Sequence, residues 1–134
     1  MLYPELQLIG YPPEDLVLKP AFQAACRAAI EALRACRARG GRVVTVGTTS
    51  TRLLESMGAA DGLPDWEGWA KITLRPGHEF HWVDAMITNF HQPGTGLLLL
   101  MNAIMPSDLL RRAYSEALAA GYRFLSYGDA TLVL

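Results

Sequence analysis

Asn89 and His91 put an amide and an imidazole on one short loop, Thr88-Asn89-Phe90-His91-Gln92-Pro93. The loop follows a strand-like run from Glu79 to Ile87 and precedes the apolar run Leu97-Leu98-Leu99-Leu100-Met101. Loops held by a rigid scaffold are where binding and catalytic side chains concentrate. His91 suits proton transfer because an unperturbed imidazole titrates near neutrality. The competing account is a structural histidine. Asn89 offers donors and acceptors to a ligand, or braces the turn after the strand. Asp84 sits between Val83 and Ala85-Met86-Ile87. Burying a carboxylate is costly unless it is hydrogen-bonded, so Asp84 is either a structural acceptor or a tuned acid/base. His78 and His81 are weaker candidates. The three histidines form no helix-spaced ligand motif, and no metal is expected.

A second group is Gly47-Thr48-Thr49-Ser50, between a β-branched run and a helical pattern. Backbone N–H groups at a helix N-terminus attract anions, and clustered hydroxyls add donors. A carboxylate, a ribose hydroxyl or a phosphate suits that position. Plain N-capping by Thr49 or Ser50 is the alternative. Arg52 and Glu55 are spaced to pair on the same helix as a solvated ion pair, or Arg52 holds a carboxylate or phosphate. A third group, Tyr127-Gly128-Asp129, sets a phenol and a carboxylate at a strand end, or makes a tight turn with Asp129 bonded to backbone. Tyr11, Trp66 and Trp82 are candidates to stack a base, against the commoner packing role of scattered aromatics.

Periodicity predicts the elements that position these groups. Residues 1–19 read as an N-terminal arm or hairpin. Pro20 opens a helix with an apolar stripe of Phe22, Cys26, Ala29, Ile30, Leu33 and Cys36, ended by Gly40-Gly41. Arg37 and Arg39 suit its C-terminal dipole. Arg42 to Val46 reads as a buried strand. A helix runs through Leu53, Leu54 and Met57 to Gly58, followed by a polar loop from Asp61 to Gly68. Trp69–Arg75 and Glu79–Phe90 read as strands joined at Pro76-Gly77. An apolar helix follows Gly94-Thr95-Gly96 and stops before Pro106. Ser107 is the expected N-cap of a helix from Asp108 to Ala120, with a stripe of Leu109, Leu110, Ala113, Ala117 and Leu118. Tyr122–Tyr127 and Thr131–Leu134 read as strands meeting at Gly128-Asp129. The order predicts a mixed α/β, α+β-like domain: a mixed or antiparallel sheet flanked by helices, without regular βαβ alternation.

The 134 residues suit one compact domain with a single core, residues 20–134 following the arm. Hydrophobic residues make up 51% and charged residues 19%, which argues against intrinsic disorder. A formal charge of −1 leaves no global basic field for nonspecific nucleic-acid binding. Cys26 and Cys36 are too far apart along one helix to bridge, so reduced thiols in a cytoplasmic protein are expected. Pro4 and Glu5 interrupt the first apolar run, and no signal peptide is expected. Leu97 to Met105 is far short of the ~20 residues a membrane span needs, so no membrane association is expected.

The three chemistry-bearing groups lie in longer segments that resemble the S-adenosylmethionine:tRNA ribosyltransferase-isomerase family of queuosine biosynthesis. The family carries V-G-T-T-S-x-R-x-L-E-S, then P-G-[YH]-x-F-x-x-V-D-x-x-[IL]-T-N-F-H-x-P, then Y-R-F-x-S-Y-G-D-A near its C-terminus. Here these read Val46–Ser56, Pro76–Pro93 and Tyr122–Ala130, in that order. The resemblance implies the C-terminal part of a longer enzyme. That enzyme transfers and isomerises the ribosyl part of S-adenosylmethionine, as co-substrate, onto preQ1 in tRNA to give epoxyqueuosine. It further implies no metal, a tRNA partner carrying preQ1, and a complementary N-terminal half or a homo-oligomer. Carried over, Thr48, Thr49, Ser50 and Arg52 bind S-adenosylmethionine, and His91, Asp84 and Asp129 are the acid/base candidates. Glu55, Asn89, Phe90, Tyr127 and Gly128 contact or orient the substrate.

Three departures accompany the resemblance. The family's N-terminal motifs and inserted β-barrel have no counterpart. Gly94 stands where the family's H-L-P-[KR]-S-T-L has a cation, and Met105-Pro106-Ser107-Asp108 replaces an A-G-R-E-like stretch. A non-catalytic ligand- or partner-binding domain derived from the family is the alternative.

Overall fold

Pro20 starts the first helix, where its missing N–H costs nothing, and Gly40, at φ 71°, turns the chain out of it. The computed structural model describes residues 2–4, 18–58, 70–126 and 128–134. Its elements are β1 (Leu2–Pro4), α1 (Pro20–Ala38), β2 (Val44–Val46), α2 (Thr48–Glu55), β3 (Ala85–Asn89), α3 (Gly96–Ile104), α4 (Ser107–Ala119) and β4 (Ala130–Val133). The strands form one sheet in the order β1-β2-β3-β4. β1, β2 and β3 run parallel, and β4 runs antiparallel to β3. The sheet is thus mixed and the class α/β. Its first three strands do alternate with helices, against the sequence expectation, and only the last strand reverses. Beyond β1 and residues 18–19, the expected arm lies outside the described residues, as do Trp66, Trp69, Tyr127 and the 61–68 loop.

Alternate residues of a strand face opposite sides. Thr45, Met86, Thr88 and Val133 share one face and are all buried. α2 seats on it through Thr51, whose hydroxyl oxygen lies 2.7 Å from that of Thr45 and 3.2 Å from Met86 Sδ. Leu100 and Met101 of α3, Leu110 of α4, and Leu74 pack with Met86 and Val133 into the main core. Leu33 of α1 packs with Val43, Trp82 and Val83 in a second cluster. The α4 stripe is narrower than periodicity predicted. Leu110 and Ala117 are buried, but Leu109 and Leu118 face solvent. α4 begins at Ser107 itself, with Pro106 in the cap position and no side-chain cap.

Two predicted strand pairings do not form. Of the run Glu79–Phe90, only Ala85–Asn89 is strand, and residues 70–84 are irregular around the Pro76-Gly77 turn. This segment is pinned by side-chain bonds in place of a strand ladder: Glu55 accepts the N–H groups of His81, Trp82 and Val83, and the segment's own Asp84 accepts the Val43 N–H. Residues 122–126 are also irregular. β4 therefore pairs with β3 instead of with them, with Asn89 opposite Ala130. Phe90, Tyr114, Tyr122 and Phe124 stack in their place, with Phe90 5.2 Å from Tyr114 and 5.8 Å from Tyr122 between ring centres.

Candidate functional site

Parallel β2 and β3 deliver their C-terminal ends to one end of the sheet, and antiparallel β4 starts there. Three segments meet at that end: Gly47–Ser50 leaving β2, Asn89–His91 leaving β3, and Gly128-Asp129 entering β4. The crevice beyond the carboxyl ends of parallel strands is where open α/β sheets bind ligands. Tyr127 belongs to the third segment in sequence but lies outside the described residues.

Gly47 makes the turn from strand to helix. Its φ of 89° suits glycine, and its N–H donates to the Ile87 carbonyl at 2.8 Å. Gly47 occupies the N-cap position of α2, and no side chain caps the helix. The capping account of Thr49 and Ser50 is thereby corrected. The first-turn N–H groups stay available to an anion, with Thr49 exposed and Thr48 and Ser50 half-buried beside them. Thr51, which the sequence reading passed over, is fully buried and bonds the Gly47 carbonyl at 3.1 Å. It fixes the turn that presents its neighbours. Arg52 is exposed and donates to the Ile72 carbonyl at 3.3 Å.

His91 is buried at the mouth of β3. Its Nε2 lies 2.9 Å from the Thr88 hydroxyl, and its backbone N–H donates to the Tyr114 hydroxyl at 2.9 Å. Burial lowers the imidazole pKa below its ordinary 6.5, and burial raises that of Tyr114. The folded state therefore favours neutral His91, whereas the unfolded chain takes up a proton first as pH falls. The stability contributed is whole above pH 6.5 and is lost as pH falls through and below that value. Urea denaturation at about pH 7.5 and about pH 5.5 is expected to show a stability loss on acidification that shrinks in His91→Asn. Tyr114 is a residue the sequence reading missed, since nothing local signals a contact between its hydroxyl and the His91 N–H 23 residues away.

Asn89 Nδ2 donates to the carbonyls of Gly128 and Asp129, each at 3.3 Å, and so ties β3 to the third segment. Asp129 accepts the Arg123 N–H at 2.7 Å and returns its own N–H to the Arg123 carbonyl at 2.8 Å. Leu125 holds φ 69°, a strained conformation for leucine, while its N–H bonds the Phe90 carbonyl at 2.9 Å. Phe90 itself is buried in the aromatic cluster.

Asp84 and Glu55 are not brought to this end. Asp84 precedes β3, about 17 Å of extended strand away from Asn89. Its carboxylate accepts Arg37 Nη1 at 2.9 and 3.0 Å and the Val43 N–H at 2.6 Å. Arg37, read as a dipole partner, is thus a clamp that also bonds the His81 carbonyl at 2.7 Å. Of the two accounts of Asp84, the geometry matches the structural acceptor. Asp84→Ala is expected to cost about 2 kcal/mol in urea denaturation, by stranding the Val43 N–H and the Arg37 charge. Glu55 does not pair with Arg52 as a solvated ion pair. It is buried and accepts three backbone N–H groups, from His81, Trp82 and Val83, at 2.9–3.0 Å. Among the described residues, no group of three or more His, Cys, Asp or Glu is placed to hold a metal.

A family model described as Queuosine biosynthesis protein matches residues 21–133. The S-adenosylmethionine:tRNA ribosyltransferase-isomerase of Anaeromyxobacter sp. (strain K) is 54% identical over 107 residues, which is 80% of this chain and 31% of that protein. Its counterpart from Chlorobium luteolum is 47% identical over 125 residues, 90% of this chain and 37% of that protein. The crystal structure of S-adenosylmethionine tRNA ribosyltransferase from Thermotoga maritima superposes with a TM-score of 0.73 at 41% identity, covering 81% of this chain and 38% of that one. The chain thus spans about a third of the length of these relatives.

Proposed function

The chain belongs to the queuosine biosynthesis protein family, and from that membership we propose that it is the C-terminal portion of an S-adenosylmethionine:tRNA ribosyltransferase-isomerase. In this reading the whole enzyme moves and isomerises the ribosyl part of S-adenosylmethionine onto preQ1 in tRNA, giving epoxyqueuosine. This chain supplies part of the site and needs the complementary portion for turnover.

The observation that carries the reading is the meeting of three segments at the carboxyl end of β2 and β3. The uncapped first turn of α2 suits the carboxylate of the methionine moiety, and Thr48, Thr49 and Ser50 add hydroxyl donors for it or for the ribose. Arg52, exposed one turn on, adds a cation. His91 serves as proton acceptor, since burial favours its neutral form. Asp129 is the second acid/base candidate, and Asn89, Phe90, Gly128 and Tyr127 shape the substrate side. Asp84 and Glu55 act through the framework. No helix of the described residues is long and apolar enough to cross a membrane.

Calorimetric titration of S-adenosylmethionine into the folded chain tests this. Saturable binding, weakened about tenfold or more by Thr49→Ala or Arg52→Ala, is expected, as for loss of a charge-assisted contact. No binding to a folded chain would move the second reading ahead: a non-catalytic binding domain or homo-oligomer. One observation favours that second reading. Gly94 is exposed at φ 75°, a conformation that disfavours the cation its relatives' motif carries there.

A further inference from the structure

Among the described residues β4 pairs with β3 on one side only, so alternate residues of Ala130–Val133 turn backbone N–H and C=O groups outward at the end of the sheet. Such an edge recruits another strand unless charge, proline or a bulge blocks it. Ala130-Thr131-Leu132-Val133-Leu134 carries no charge and no proline. Leu132 is 54% exposed and Leu134 77%. Tyr122 and Leu125, just upstream, are exposed as well. Four of the nine exposed large apolar side chains among the described residues thus fall within residues 122–134. Leu132 also continues a row across the sheet, beside Ile87 and Val46, on the face opposite Met86 and Val133. An exposed apolar side chain that continues such a row onto an unpaired strand suits an interaction surface.

We propose that the open edge of β4 receives a β-strand from the part of the family protein that this chain does not span. The proposal rests on the reading above. The occupant follows from length: 62–69% of the relatives' own sequence lies outside the match, in the same polypeptide. Strand addition supplies main-chain hydrogen bonds along β4, and apolar side chains on alternate positions cover Leu132 and Leu134. β4 starts directly after Asp129, so the added strand borders the end of the sheet where the three segments meet. The surface that completes the fold then also completes the site.

The test co-expresses this chain with the unmatched part of the Anaeromyxobacter relative as a separate polypeptide, then measures association by sedimentation and hydrogen exchange. The expected result is a one-to-one complex in which the outward amides of residues 130–133 exchange about tenfold or more slowly than in the isolated chain. Leu132→Lys and Leu134→Lys are each expected to weaken it about tenfold or more, while Leu118→Lys on α4 leaves it unchanged. No complex, or a complex indifferent to both β4 variants, overturns the proposal. A dimer of this chain alone that Leu132→Lys dissolves also overturns it, by making a second copy the occupant. A complex that binds S-adenosylmethionine but ignores both β4 variants sinks this inference and spares the functional reading. A β4-dependent complex that binds no S-adenosylmethionine does the reverse.

Discussion

Glu55→Ala is expected to lower stability by about 3–5 kcal/mol in urea denaturation, the range for breaking up a buried charged network. The side chain is 0% exposed, yet it sits in the last turn of a short helix. Its two oxygens accept the N–H groups of His81, Trp82 and Val83, and Oε2 also lies 3.1 Å from His78 Nε2. Removing the carboxylate strands three consecutive backbone donors, each worth about 1–3 kcal/mol when buried without a partner. Trp82 and Val83 would lose their placement against Leu33 and Val43, so the second core cluster would loosen with the loop. Glu55→Gln keeps the shape and one acceptor oxygen and is expected to cost less. A loss under about 1 kcal/mol for the alanine variant would show that the 78–83 segment is held by packing alone.

Gly128→Ala is expected to disable the candidate site more directly. A Cβ there would lie 2.3 Å from the Arg123 carbonyl oxygen and 2.7 Å from the Phe124 carbonyl carbon. Both are backbone atoms, so the 123–129 turn must move as a unit. That movement would break the two 3.3 Å bonds from Asn89 to Gly128 and Asp129. Overpacking of this kind costs about 3 kcal/mol. Binding of S-adenosylmethionine should also fall about tenfold or more if the turn borders the ligand, because positioning errors of about 1 Å are that costly. Gly94→Ala is the control, since its Cβ would meet nothing within 4 Å. It should cost only the roughly 1 kcal/mol of a left-handed backbone. Equal ligand affinity in Gly128→Ala and the unaltered chain would remove the third segment from the site.

The helices were legible from local pattern. Pro20, Gly40 and the spacing of Leu33 and Cys36 mark α1, and Gly96 and Pro106 frame α3. Side chains repeating every three or four residues carry that information within the segment itself. The three chemistry-bearing segments were legible too, because their residue types and order are properties of the chain. Strand identity over residues 70–84 and 122–126 was not. These runs alternate like strands, but pairing depends on a partner distant in sequence, and β3 took β4 instead.

The same limit separated two acidic residues from the site they were assigned to. In one dimension Asp84 stands five residues from Asn89 and Glu55 five from Ser50, as though each pair shared a pocket. An extended strand and a helix each carry their two ends apart, so the carboxylates lie at the far end, bound to Arg37 and to the 81–83 backbone. Residue type, spacing and helix propensity are local and survive in the sequence. The end of the sheet a residue reaches, and the partner that meets it there, depend on strand direction and long-range register, which only the folded chain decides.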